Sequence, residues 1–322
     1  MTDPTPEGGR RSRPRWLAWA GFALGLGLLA GAVWVLFRQP QTVEDLRARL
    51  SDAPWWAVGF LLLSPLLNWS LVSTSMWMLL RRHGQLGLGE MHALVGSAWL
   101  LNHLPLRPGL VGRVGYHKMV NGIRVRDAVE ATFWSLGLAG VAGLMALGLA
   151  LATPGGVGLP TVGAMLAGPV VVVGGFALLA RAVGRVGSAW MLGALAVRYA
   201  DMGAWAARYA VGFWVMGLEP APMDILAVTA VSQVAQLIPT FGGGLGIREW
   251  FVGLVAGGMG LDFDSALAAD LINRAAETLM VLPVGLVCGT LVARRLSRFR
   301  RAQTNGMVGT GAAAPESGGA GA

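Results

Sequence analysis

Apolar residues run along this chain in blocks too long for the core of a soluble domain. Residues 16–37 are unbroken by charge, and residues 54–80 contain no charged side chain. Each block exceeds the roughly 20 residues that cross a hydrocarbon core. Further apolar blocks cover about 128–151, 161–180, 202–218 and 266–292. This pattern predicts an all-α polytopic membrane protein with about six transmembrane helices. An amphipathic piece at about 188–200 is expected to lie on the inner interface before the fifth of them.

Two other apolar stretches are too short to cross. The first, about 91–106, runs into Arg107, Arg113, His117, Lys118, Arg124 and Arg126. The second, 225–238, is broken by the Pro-Thr-Phe-Gly-Gly-Gly run at 239–244 and resumes over 248–260. Both read as re-entrant hairpins. Non-helical backbone survives at that depth only where protein or a water-filled cavity covers it, so a cavity is implied.

Loop charges set the orientation. Arg10, Arg11, Arg13 and Arg15 precede the first apolar block, Arg81-Arg82-His83 follow the second, and Arg294, Arg295 and Arg298 follow the last. Cationic loops stay in the cytoplasm, so both termini are expected there, with the chain in the cell (inner or plasma) membrane. Residues 39–53 mix Glu44, Asp45 and Asp52 with Arg47 and Arg49, which suits the outer face. On this path the first hairpin enters from inside, and the second, flanked by Asp262 and Asp264, enters from outside. The first block ends at Phe37-Arg38 without a small-x-small cleavage site, so it reads as a retained helix rather than a signal peptide. Residues 1–15 and 303–322 are rich in Gly, Pro, Ala and polar groups and are expected to be disordered cytoplasmic tails. They leave a membrane domain at 16–302 with repeat halves at about 54–151 and 202–292.

Composition narrows the function classes. Of 322 residues, 54% are hydrophobic and only 13% charged, against roughly one-quarter charged in soluble domains. The polar stretches are too short for a soluble domain of about 50 residues or more. No soluble catalytic domain, enzymatic activity or cofactor is therefore expected. A net charge of +8 would suggest nucleic acid in a soluble protein. Here the arginines gather in loops as the positive-inside pattern requires, and nucleic acid is not an expected partner. The lone cysteine, Cys288, excludes an internal disulfide or a cysteine metal cluster. There is no HExxH, GxSxG or Walker loop, so ATP-driven transport by this chain alone is excluded.

The two broken segments share a signature. Pro105 is followed by Gly109, Gly112 and Arg113 at four, seven and eight residues, and Pro239 by Gly243, Gly246 and Arg248 at four, seven and nine. With opposite orientations, they make an inverted repeat of discontinuous helices, which points to a transport site near the midplane. Helix breaks expose backbone N–H groups, and the N-terminal dipole favours an anion. Arg107, Arg113 and Arg248 add guanidinium groups suited to phosphate. The expected ligand is an anionic lipid head group.

Ionisable residues inside or near spans are costly and functional by default; here they are Glu130, Arg208, Glu249, Asp270, Arg274 and Glu277. Asp270, Arg274 and Glu277 follow steps of four and three and share a helical face. They read either as a site in which Asp270 and Glu277 couple protons or as a structural ion-pair ladder. Glu130 and Arg208, near helix ends, read equally well as snorkelling side chains. Asp262 and Asp264 could form the metal-binding DxD of a lipid-linked sugar transferase, although Asp264 reads more readily as a helix cap. Glycines at 21, 25, 27 and 31 could form a homo-oligomer seam or pack the first helix internally. His103 and His117 read as satisfied polar groups, and no metal site is expected.

Asn102, Pro105, Gly109, Gly112 and Arg113, the run Pro-x-x-Gly-Gly-Gly-Leu-Gly-Ile-Arg-Glu at 239–249, and Asp270-x3-Arg274 resemble the transmembrane region of lysylphosphatidylglycerol synthases and its stand-alone, flippase-like relatives. The resemblance covers about 54–292. It implies a protein that moves an anionic, aminoacylated, glycosylated or polyprenyl lipid between leaflets. The soluble aminoacyl-transfer domain has no counterpart, so synthase activity is not implied. Where the family often has a Glu-Arg pair, Glu130 is followed by Ala131. The substrate-binding residues expected are Asn102, Arg107, Gly109, Gly112, Arg113, Gly243, Gly244, Gly246, Arg248, Glu249 and Arg274, with Arg113, Arg248 and Arg274 together where the hairpin tips meet. Expected partners are membrane lipids and a separate lipid-modifying synthase or glycosyltransferase. The rival readings are a polytopic lipid-linked glycosyltransferase and a non-transporting membrane scaffold.

Overall fold

A computed structural model describes residues 40–103, 108–152, 188–237 and 246–310, with isolated helical positions within 23–34 and 171–182. The described residues are helical throughout, joined by turns, with no strand. In chain order the helices are α1 (Pro40–Asp52), α2 (Trp55–Leu80), α3 (Leu88–Leu101), α4 (Pro108–Val120), α5 (Val125–Ala152), α6 (Ser188–Val215), α7 (Pro222–Leu237), α8 (Ile247–Gly258) and α9 (Phe263–Thr310). Three of them, α2, α5 and α9, are long and apolar enough to cross a membrane. The expected spans at 16–37 and 161–180 lie outside the described residues apart from those isolated positions.

Local chemistry explains how the long helices persist. Pro65 lies inside α2 and cannot donate to the Leu61 carbonyl four residues back. The Ser64 hydroxyl donates to that carbonyl instead, at 3.3 Å. Three sequence expectations need correction. Within residues 39–53, read as an outer loop, Pro40–Asp52 form the separate helix α1. The amphipathic piece at 188–200 and the span at 202–218 are one continuous helix, α6, so the second half begins at Ser188 rather than 202. No proline interrupts α6, and its ionic residues Arg198, Asp201 and Arg208 are buried rather than interfacial. Finally, α9 runs on to Thr310, past the 302 boundary read as the start of a tail.

The two short broken segments fold back on themselves. In the first, Gly109 at the start of α4 lies against Ala98 near the end of α3. At the far end of the pair, the Tyr116 hydroxyl and the Asn121 amide both donate to Glu90 Oε1, at 2.9 and 3.0 Å. The arms are therefore antiparallel. In the second, α7 and α8 pack side by side across the 238–245 connection.

Each hairpin sits between two long helices, and the main helix contacts are matched when α2–α5 are exchanged for α6–α9. Helix α3 packs on α9 as α7 packs on α5, and α2 packs on α5 as α6 packs on α9. At the centre α2 and α6 pack on each other in opposite directions. Asn68 Nδ2 donates to Asp201 Oδ1 at 2.7 Å and Ser75 Oγ to the Ala194 carbonyl at 3.2 Å, while Ala57 and Leu61 cluster with Val215. Asn68 and Asp201 each stand thirteen residues beyond the first residue of their helix. Small residues let α3 approach α9: a Cβ on Gly96 would lie 2.7 Å from Cys288 Sγ, and one on Gly285 would overlap Leu100.

The hairpins open from opposite ends of the bundle. The base of α3–α4 lies beside Arg295, whose Nη2 is 3.0 Å from Glu90 Oε2, and beside the turn carrying His83, 3.6 Å from Asp127. The α7–α8 base adjoins the end of α6 and the start of α9. At that end Trp56 stacks on Trp214 at 5.4 Å, and at the cationic end Arg81 lies 4.4 Å from the rings of both Trp77 and Trp190.

A side chain at Gly109 has nowhere to go, because its neighbours are the backbone of Ala98 and Asn102 Oδ1 at 2.7 Å. Gly109→Ala is expected to cost about 1–3 kcal/mol by forcing the hairpin arms apart. Gly112→Ala, where a Cβ meets nothing within 4 Å, should be close to neutral. Thermal unfolding of the two variants in detergent, beside the parent, checks the contrast.

Candidate functional site

The second half of the chain holds six ionisable side chains in one buried cluster. Their placement follows from helical spacing and from where α8 begins. Asp270, Asn273, Arg274 and Glu277 lie on one face of α9, and all are buried. Helix α8 starts against that face. Gly246, its N-cap, has φ 79°, a left-handed conformation that favours glycine. The sharp entry turns both Arg248 and Glu249, adjacent in the first turn, into the protein, where each has no exposed surface.

The pair then divides between opposite partners. Arg248 Nε donates to Asp270 Oδ2 at 3.3 Å and Nη1 to Glu277 Oε2 at 3.2 Å. Glu249 Oε1 accepts from Arg274 Nε at 2.7 Å. From α6, Arg208 brings Nη2 to 3.9 Å from Glu277 Oε2, with its guanidinium 3.7 Å from the Trp205 ring centre. Tyr209 donates to Asp270 Oδ1 at 2.6 Å, and its hydroxyl is 2.8 Å from Ser232 Oγ of α7. Three guanidinium groups thus face three carboxylates, and the cluster is neutral as a set.

Polar capacity is left over. Arg208 Nε and Nη1, Arg248 Nη2, Arg274 Nη2, Glu249 Oε2 and both amide atoms of Asn273 are buried without hydrogen-bond partners among the described residues. The unpartnered side-chain nitrogen of Gln233 on α7 lies elsewhere, in a small cavity lined by Arg198 and Asp201. An unsatisfied buried donor costs about 1–3 kcal/mol, more if charged. A group of them around one point is what a site for a polar guest requires.

Arg113 is elsewhere. It is buried in the first half, donating through Nη1 to Met76 Sδ at 2.9 Å and through Nη2 to Thr132 Oγ1 at 3.2 Å. The expected grouping of Arg113 with Arg248 and Arg274 is therefore corrected: the last two share a cluster and the first does not. The helix positions give the reason. Thr132 and Asp270 each stand seven residues beyond the start of their helix, so each motif arginine reaches the equivalent position of the following helix in its own half. Only the second half has a carboxylate there.

Other expected site residues fall as follows. Asn102 caps α3 at the first hairpin tip, with Oδ1 buried and unpartnered among the described residues. Gly109 serves the α3–α4 contact, and Gly112 faces outward. Arg107, Gly243 and Gly244 lie outside the described residues. Arg208, read near a helix end, is fully buried at the cluster. Asp262 rather than Asp264 is the cap: its Oδ2 accepts the Ser265 N–H at 2.8 Å. His103 and His117 use Nδ1 on the Trp99 carbonyl and Asn121 Oδ1, at 3.0 and 3.1 Å. Glu130 meets Trp134 Nε1 at 3.4 Å beside Arg82 and His83.

Sequence reading did not single out Tyr209, Asn273, Arg198 or Asp201. Arg198 donates to Asp201 Oδ2 at 3.4 Å and to Ser135 Oγ at 2.5 Å. The available signal was three ionic residues in one Ala-rich helix with no proline to divide it. No family model matches the chain, and no curated protein is similar to it at a significant level.

Removing one partner of the Arg274–Glu249 pair strands a buried charge. Arg274→Met and Glu249→Gln should each destabilise by about 3–5 kcal/mol. The double variant should cost clearly less than the two together. A double-mutant cycle in chemical denaturation measures the coupling.

Proposed function

We propose that this protein moves a lipid between membrane leaflets, with the head group passing the charge cluster of α6, α8 and α9 while the tails stay in the bilayer. The observation that carries the reading is the cluster itself: six ionisable side chains and a surplus of unpartnered donors, buried in a bundle whose long helices are apolar enough to cross a membrane. Intramembrane ionic residues of this kind mark substrate or ion paths. Arg208, Arg248 and Arg274 each retain at least one unpartnered nitrogen for a phosphate or another polar head group.

The packing supports an inverted repeat. Equivalent helices run antiparallel, the hairpins open from opposite ends, and the cationic turns gather at one end, which we assign to the cytoplasm. On this reading both hairpins are re-entrant, and access alternates as one half rocks against the other about the α2–α6 contact. The resemblance to the transmembrane region of lysylphosphatidylglycerol synthases points the same way and leaves anionic, aminoacylated, glycosylated and polyprenyl lipids as cargo. A sugar-transferase reading has less support, because Asp262 is engaged as a helix cap.

The test is movement of fluorescent lipids of these classes between leaflets of proteoliposomes. Protein-dependent movement is expected for at least one class. Arg248→Gln should slow it roughly 10- to 100-fold, the worth of a hydrogen bond to a charged group, while Arg124→Gln in an exposed turn should leave it intact. Absence of movement for every class, or an Arg248→Gln protein as fast as the parent, overturns the proposal. For the repeat, cysteines replacing Arg124 and Gly258 in a Cys288→Ala background should react with impermeant reagents from opposite faces of the membrane.

A further inference from the structure

Apart from the charge cluster, the outer side of the first half carries a built feature that head-group transfer leaves unused. Between α4 and α5 lies an open groove of about 540 Å³, walled by Val111, Val114, Val129, Phe133 and Leu136. Val111 and Phe133 are 73% and 71% exposed. Gly115 widens the groove, since a Cβ there would meet nothing within 4 Å. Its one polar wall residue, Thr132, accepts a hydrogen bond from the buried Arg113.

The groove has a cationic end. On α4, Lys118 lies four residues beyond Val114 and three beyond Gly115, on the groove face. On α5, Arg126 lies three residues before Val129 and seven before Phe133, again on the groove face. A short turn joins the two helices, so both cations arrive at the same end, and both are exposed. Arg124 in that turn is 88% exposed, and the nearby carboxylate of Asp127 is engaged by His83 and Arg124. From Leu136 to Val129 the apolar wall runs seven residues, or about 10 Å along the axis. An open apolar groove ending in a pair of exposed cations matches one kind of molecule: a chain with an anionic head.

We propose that this groove binds an anionic phospholipid, an acyl chain lying along Phe133 and Val129 and the phosphate held by Lys118 and Arg126. The site goes beyond the transport reading and stands whether or not the protein moves lipid.

The full-length chain is reconstituted in vesicles carrying phosphatidylglycerol or phosphatidylcholine with a photoactivatable diazirine in the acyl chain, and labelled peptides are mapped after illumination. Labelling by the glycerol probe should concentrate on 108–136 and exceed that by the choline probe. Each cation removed in Lys118→Gln and Arg126→Gln should reduce it about fivefold, the worth of one basic side chain at an anionic surface. Val111→Trp, which fills the groove without touching its charges, should reduce labelling by both probes. Equal labelling of this segment and of the exposed α9 face at Leu279 and Leu286 overturns the proposal. So does a glycerol preference that survives loss of both cations, or a groove shielded from both probes by crosslinking to a second copy.

Discussion

Arg248, with no exposed surface, lies between two carboxylates of α9. The rest of the second half follows from keeping that guanidinium paired. Desolvating an ion costs several kcal/mol, and close, hydrogen-bonded partners recover the loss. Asp270 and Glu277 supply them at 3.3 and 3.2 Å. Both carboxylates then need more than one arginine can give, and Tyr209 and Arg208 of α6 are drawn to the same point. Three helices are fixed to one another by charge, and the turn at Gly246 is what allows α8 to present Arg248 and Glu249 there at once.

The first half is built on the same plan with different chemistry. Its motif arginine also reaches across to the following helix, but meets Thr132 and Met76 where the second half offers a carboxylate. The second half buries a cluster of paired ions, and in the first the arginine is satisfied by a hydroxyl and a sulfur. The halves are joined by the antiparallel α2–α6 contact, centred on Asn68 and Asp201, and by the packing of α3 on α9 and of α7 on α5. Polar contacts within a largely apolar interface fix register, and they give the proposed rocking motion a pivot.

Much of this was legible in the residue pattern because the signals were local. Long apolar blocks located α2 and α9. The breaks after Asn102 and Leu237 located both hairpins, and steps of four and three placed Asp270, Arg274 and Glu277 on one face. The failures were of another kind. Helix α6 was divided because Arg198, Asp201 and Arg208 look like interface residues when hydropathy is read along one segment. They are buried because partners on α2, α5 and α9, between 63 and 133 residues away in sequence for Ser135–Arg198 and Asn68–Asp201, neutralise or bond them. Arg113 was grouped with Arg248 because like motifs invite like sites, whereas each belongs to its own half.

The sequence by itself determined the solvent, the helical class, the places where the chain breaks and which residues of α9 share a face. Each of these depends on hydropathy or on a helical period of 3.6 residues, which a window of neighbouring residues contains. Tertiary structure alone decided which charges meet: Arg248 with Asp270 and Glu277, Glu249 with Arg274, and Arg208 with Glu277 over Trp205. A buried ion pair depends on distances of a few ångströms between helices far apart in the chain, and only their packing sets those distances.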